Sequence, residues 1–180
     1  GIGVVTLPHT NLWLGGRNQQ PVPRGLTAVD ALRGAGVAVA AGADNLQDPF
    51  NPMGRACPFE TASLMVLAAH DLPHVAWESV SRASRRVLGL PSGSIEPGAP
   101  ADLVAVPGGS LRQAIAEGPA PRRVFRRGVE VVEVGGGDPV AGHQEEPRVP
   151  TRPVDLAGHP AADRLGLGVS LAALQDLDLC

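Results

Sequence analysis

Cysteine is nearly missing from this sequence: two among 180 residues, Cys57 and the terminal Cys180. Without paired spacing they cannot form a disulfide framework, which points to a reducing, cytoplasmic compartment. No apolar run reaches membrane length and no secretory leader is visible, so neither membrane insertion nor export is expected. Strong charge of one sign is also lacking. The net charge is −3, and the basic residues are scattered except at Arg122-Arg123 and Arg126-Arg127. Nucleic acid and membrane surfaces are therefore not expected partners. An initiator methionine is absent too: the chain opens at Gly1 and enters a strand almost at once, as a piece of a longer protein would.

What is present is enough apolar material, 43% of residues, to bury a core in one domain followed by a tail. The chain is organised around Gly36 to Gly54, GVAVAAGADNLQDPFNPMG. Val37 to Ala41 is too short for a lone helix and rich in small and β-branched residues, and so predicts a buried parallel strand. That strand ends in Gly42-Ala43-Asp44 and gives way to a polar loop. Catalytic side chains collect at the carboxyl ends of buried strands, where loops carry chemistry on a rigid base. Asp44 stands at that junction.

Upstream, Gly3 to Leu7 predicts a second buried strand stopped by Pro8, and His9 to Arg24 a long functional loop. Thr27 with Asp30 is expected to cap a helix whose apolar side is Leu26, Val29, Leu32 and Ala35, ended by Gly34 and Gly36. Strand, loop, helix and strand at this spacing make one βαβ unit with parallel strands. Downstream, Pro58 to Leu72 predicts a helix apolar on most faces and hence covered. A second helix, Val75 to Leu88, should turn Val80, Ala83, Val87 and Leu88 inward and Ser81, Arg82, Arg85 and Arg86 outward. Ala101 to Val106 is a strand, Ser110 with Gln113 caps a short helix up to Gly118, and Val124 to Arg126 with Val129 to Val134 form a hairpin through Arg127-Gly128. The late strands alternate as the first two do not, which assigns them to a separate, half-exposed sheet. From Gly135 the glycines, prolines and the Glu145-Glu146 pair describe a flexible, solvated tail.

Several residues carry plain readings. Asp48 before Pro49 shapes a turn. His70 and His74 have helical metal-pair spacing, but Pro73 spoils the shared face and leaves them surface histidines. Cys57 is a small buried hydrophobe with only Arg55 near it in sequence. His9 is ordinary loop, with a pocket role as the second reading. The four arginines of the hairpin are a solvated edge that blunts strand pairing.

Five stretches in order, VVTLPHTNLWLGGR (Val4 to Arg17), GADNLQDPFNPMG (Gly42 to Gly54), SRASRRVLGL (Ser81 to Leu90), EPGAPADLVAV (Glu96 to Val106) and RVFRRGVEV (Arg123 to Val131), give the chain a family likeness. Together they resemble the C-terminal part of the metal-dependent amidohydrolases, nearest the cytosine deaminase and isopropylammelide amidohydrolase branch. The resemblance covers about the first three-quarters of the chain. It implies an α/β fold, the C-terminal portion of a TIM-like (β/α)₈ barrel plus part of a small β-sandwich. Gly3 to Leu7 would be barrel strand seven and Val37 to Ala41 strand eight. Residues 1–100 would be the partial barrel, 101–134 the sandwich share and 135–180 the tail.

The resemblance also implies a hydrolase of non-peptide carbon–nitrogen bonds that deaminates a cyclic amidine, pyrimidine or triazine-like heterocycle with one divalent metal, Zn²⁺ or Fe²⁺. Asp44 would bind the metal and shuttle a proton for metal-activated hydroxide, a chemically reasonable task for a carboxylate. Phe50 would lie over the substrate, with simple core packing as its other reading, Asn11 would lie near the pocket, and Asn45 stands where cytosine deaminases place a second acid. That last departure disfavours cytosine itself. The family's His-x-His pair, two further histidine ligands and ring-protonating glutamate have no counterpart here and would lie upstream of Gly1, whereas a metal site needs three or more protein ligands. The alternative expectation is therefore a catalytically incomplete piece acting in structure or interaction, since two barrel strands cannot close a barrel. A ring-opening, dihydropyrimidinase-like amidohydrolase fits the same loop. The expected partner is a small heterocyclic substrate, with homo-oligomerisation left open.

Overall fold

The computed structural model describes residues 1–91, 93–118 and 122–134. They divide into two compact units, one before residue 92 and one after it.

The first unit is built on two parallel strands, β1 (Val4–Thr6) and β2 (Val39–Ala41), paired Val4 to Val39, Val5 to Ala40 and Thr6 to Ala41. Gly42 N–H extends the pairing by donating to the Thr6 carbonyl at 2.9 Å. Between the strands lie α1 (Pro8–Leu14) and α2 (Val29–Gly34), as a βαβ unit requires. After β2 come α3 (Pro58–Ala69), α4 (Pro73–Val80) and α5 (Arg82–Leu88), all three packed on β2. The core they make with β2 is Val39, Ala40, Ala41, Phe59, Ala62, Met65, Ala76, Trp77, Val80 and Ala83. Phe59 and Trp77 stack tilted at its centre, with ring centroids 5.1 Å apart.

Helix α2 stops in a Schellman motif. Gly36, at φ +76°, donates to the Arg33 carbonyl at 2.9 Å, and Val37 donates to the Leu32 carbonyl at 3.0 Å. Arg33 from the last turn of α2 makes a two-pronged ion pair with Asp71 (2.6 and 2.8 Å) and reaches Ser79 Oγ at 2.9 Å. The pair ties the crossover helix to the α3–α4 corner.

In the second unit, β3 (Leu103–Ala105), β4 (Arg122–Arg126) and β5 (Val129–Val134) form an antiparallel sheet in that order, separate from the parallel pair. Arg127 at φ +49° and Gly128 at φ +78° make a two-residue type I′ turn between β4 and β5. Helix α6 (Leu111–Glu117) starts as its sequence demands. Gln113 N–H donates to Ser110 Oγ at 3.1 Å, while Gln113 Oε1 accepts from Gly109 N–H at 3.0 Å. Val104, Ala114, Ile115 and Phe125 are its buried apolar residues.

The departures from expectation have local causes. The loop expected over His9 to Arg24 contains α1, because Pro8 at the first helical position supplies the φ and sacrifices no needed N–H. The Thr27–Asp30 capping box does not form. Ala28 is the N-cap of α2, and Thr27 Oγ1 instead donates to Asn11 Oδ1 at 3.4 Å. The helix expected to reach Leu72 ends at Ala69 and is not wholly covered, since Leu67 is exposed. The helix expected over Val75 to Leu88 is two helices broken at Ser81, at φ −124° and ψ −102°, where Ser81 Oγ donates back to the Trp77 carbonyl at 2.6 Å. The break turns Ser81 and Arg85 inward and leaves Leu88 exposed. Arg85 is accommodated by donating Nε–H to the Pro91 carbonyl. The arginine-rich strand β4 is the middle strand of its sheet, bonded on both sides, and so is no edge. Arg123 on it forks onto Glu130 with two 2.6 Å contacts. The tail expected over 135–180 lies outside the described residues.

Candidate functional site

The loop after β2 is shaped by a few polar side chains. Asp48 Oδ1 accepts from the N–H groups of Phe50 (2.8 Å) and Asn51 (3.0 Å), the turn expected of an Asp before Pro. Asp48 Oδ2 accepts from the Asn45 amide at 2.6 Å. Burial pushes the Asp48 carboxyl up, but the hydrogen bonds from Phe50, Asn45 and Asn51 outweigh it and hold the group below its ordinary value. Asn51, only 4% exposed, points Nδ2 at three consecutive carbonyls: Ala43 (3.5 Å), Asp44 (3.1 Å) and Asn45 (3.1 Å).

This network holds a backbone that most residues avoid. Asp44, Asn45, Gln47 and Ala56 have φ of 39°, 61°, 50° and 51°, a left-handed conformation that costs on the order of 1 kcal/mol for residues such as Gln and Ala and less for Asp and Asn. Such outliers persist only where their surroundings impose them, and they gather at sites of function.

Helix α1 clasps the loop from the other strand end. Thr10 Oγ1 donates to Asn45 Oδ1 at 3.4 Å, and Trp13 Nε1–H donates to the Pro49 carbonyl at 2.8 Å. The Arg17 guanidinium lies over the Trp13 ring, 4.3 Å from its centroid. Beside the clasp is His9 in the first turn of α1, so it is not a loop residue. Its ring is 7% exposed, and Nε2 lies 3.6 Å from Glu60 Oε2 of α3, which also pairs with Arg55. Desolvation lowers the His9 pKa below its ordinary value, against the opposing pull of Glu60.

The four residues singled out from the sequence are placed as follows. Asp44 follows the carboxyl end of β2 and is exposed. Asn45 is its neighbour, with its amide oxygen and nitrogen engaged by Thr10 and Asp48. Phe50 belongs to the same loop and is 52% exposed, which rules out a core role. Asn11 lies across the clasp on α1 and accepts from Thr27. Two open grooves of about 440 Å³ each are lined around Arg24, Thr27 and His70, and around Arg33, Val37 and Ser79. Neither includes these four residues. His70 and His74 are both exposed, as expected. Asn51, Thr10 and Trp13 are the organising residues that sequence reasoning missed. Their partners are mostly backbone carbonyls or lie across the unit, and no side-chain spacing reports either.

Among the described residues no three His, Cys, Asp or Glu side chains converge to hold a metal ion. No helix among them is long and apolar enough to cross a membrane.

The Amidohydrolase family profile matches residues 1–136. A pterin deaminase from Rhizobium rhizogenes is 35% identical over 133 residues, 71% of this chain and 30% of that protein. Among solved structures, a 5-methylcytosine deaminase from Klebsiella pneumoniae liganded with 5-fluorocytosine superposes with a TM-score of 0.64 at 24% identity, covering 84% of this chain and 36% of its own. An N-isopropylammelide isopropylaminohydrolase from Burkholderia multivorans gives 0.60 at 30% identity, covering 74% and 32%. The chain thus spans about a third of the length of each of these proteins.

Proposed function

Because the chain belongs to the amidohydrolase family, we propose that it supplies the Asp44 loop of a hydrolase that cleaves a carbon–nitrogen bond in a small aminated heterocycle. In this reading β1 and β2 are barrel strands seven and eight, residues 1–100 are the barrel portion, and residues 101–134 are the sandwich portion. The observation that carries it is the position of Asp44, at the carboxyl end of β2 in a loop whose strained backbone is held by a dedicated hydrogen-bond network. Substrates of this class include pterins, aminopyrimidines and aminotriazines, by analogy with the similar proteins.

Family members depend on a metal. The described residues offer Asp44 as a single donor at this position and do not make up such a site. The chemistry assigned here is therefore that of the chain's own groups. The Asp44 carboxylate takes a proton from the water that adds to the ring carbon. It returns that proton to the exocyclic nitrogen as the carbon–nitrogen bond breaks, releasing ammonia or an amine, while the proton of the added hydroxyl passes to the adjacent ring nitrogen and leaves a ring carbonyl. The exposed Phe50 ring, on the same loop, is offered to the flat face of the heterocycle. Asn45 contributes by holding the loop against Thr10 of α1, while Asn11, bonded to Thr27, is offered toward the substrate from α1.

The test is release of ammonia by the protein from a panel of a pterin, cytosine, 5-methylcytosine and an aminotriazine. Turnover of one of them is expected, with Asp44→Asn lowering kcat by about 10²–10⁴-fold, the usual contribution of a proton-transferring side chain. An Asp44→Asn protein as active as the parent would refute the assignment. The lack of three converging donors among the described residues favours a second reading, a non-catalytic piece that pairs with another polypeptide. Stoichiometric, tightly held zinc or iron in the purified protein would decide against it.

A further inference from the structure

Asp44 is exposed and sits at a left-handed φ of +39°, so something other than packing must set where its carboxylate points. The contacts that reach it come from one buried side chain. Asn51 Nδ2 lies within 3.1 to 3.5 Å of the carbonyls of residues 43, 44 and 45, gripping the segment before, at and after Asp44. Asn51 is itself fixed. Its N–H donates to Asp48 Oδ1 at 3.0 Å and to the Asp48 carbonyl at 3.2 Å, and its carbonyl accepts from Gly54 N–H at 3.2 Å.

We propose that Asn51 is the positioning residue of the Asp44 carboxylate. The inference rests on the reading of Asp44 as the proton-handling group, and it goes beyond that reading by naming what aims it. Only an amide suits the place. Three carbonyl oxygens present partial negative charge, so a donor of aspartate's size and shape is required, and a carboxylate there would be repelled. Asn51 touches no substrate in this scheme and acts through the backbone alone.

Two variants separate aiming from mere support. Asn51→Asp keeps size and removes the donor, and Asn51→Ser keeps a shorter donor that cannot span the three carbonyls. Each is first checked for native circular dichroism. In the folded variants, the Asp44 side-chain ¹³C resonance is expected to shift and the amides of residues 43–46 to exchange at least about tenfold faster, with amides of α3 unchanged. On the substrate found for the parent protein, kcat is expected to fall at least tenfold with KM within about twofold, and Asn51→Asp added to Asp44→Asn should cost nothing further. An unmoved Asp44 resonance with unchanged exchange overturns the positioning role. So does an equal loss of kcat in the Asp44→Asn background. Full activity of Asp44→Asn alone would instead sink the functional reading, while the resonance and exchange data still decide the part played by Asn51.

Discussion

Gly54 is the residue on which the Asp44 loop closes, and adding a single methyl group there should be costly for steric reasons. A Cβ at Gly54 would stand 2.4 Å from the Asn45 carbonyl oxygen and 2.8 Å from Asn51 Nδ2. Ordinary contact needs about 3.5 Å, so the loop would have to open by about 1 Å at its most constrained point. Overpacking of that kind costs about 1–3 kcal/mol. Displacing the Asn51 amide from its carbonyls adds about 1–3 kcal/mol for a buried donor left unmatched. Gly54→Ala should therefore lose about 2–6 kcal/mol, which at about 2–4 °C per kcal/mol for a chain of this size lowers Tm by about 4–24 °C. Gly34→Ala is the matched control. It lies in α2, its added methyl meets nothing within 4 Å, and replacing a helical glycine should stabilise by about 0.5–1 kcal/mol. Thermal melts followed by circular dichroism read both variants. If Gly54→Ala melts with or above the parent, the close approach of loop and glycine is wrong, and with it the account of how Asp44 is held.

Arg33→Met leaves the Asp71 carboxylate, whose side chain is 4% exposed, without its ion-pair partner. Urea unfolding should show a loss of about 3–5 kcal/mol, and a loss under about 1 kcal/mol would mean the pair is not formed. His9 should make stability pH-dependent. Its folded pKa lies below the ordinary 6.5, so its contribution is full above that value and is lost as pH falls through the lowered folded value. His9→Gln should flatten that part of a Tm-against-pH curve, and an unchanged curve would show that another group titrates there. Arg127→Asn should stabilise the hairpin by about 0.5 kcal/mol, because asparagine tolerates the positive φ that arginine holds at 49°. A lower Tm would contradict the turn assignment.

Much of the fold was legible because its signals are local. The parallel strands follow from short β-branched runs between glycines, and the α6 cap from Ser110 three residues before Gln113. The β4–β5 turn follows from Arg127-Gly128 between alternating segments. What escaped is set by distant partners. Helix α1 is pinned by Trp13 to a carbonyl 36 residues away. The break at Ser81 depends on serines bonding back to the chain, and the inward turn of Arg85 depends on the Pro91 carbonyl waiting for it. The site divides in the same way. Asp44 and the Asp48 turn could be read from the end of a strand and an Asp-Pro pair, whereas the grip of Asn51 on three backbone oxygens leaves no trace in residue spacing.

The Schellman stop at Gly36 has a consequence for how this chain can vary. Helix end and strand start are bonded to each other with no slack, and β2 is only three residues long. One inserted residue between Gly36 and Val39 has nowhere to bulge. It would slip the ladder by one rung and exchange the two sides of β2. The carboxylate five positions further on from Val39 would swing to the opposite side of the sheet. The aim of Asp44 is thus written partly in the spacing between a glycine and a valine well before it, where deletions and insertions should be tolerated least.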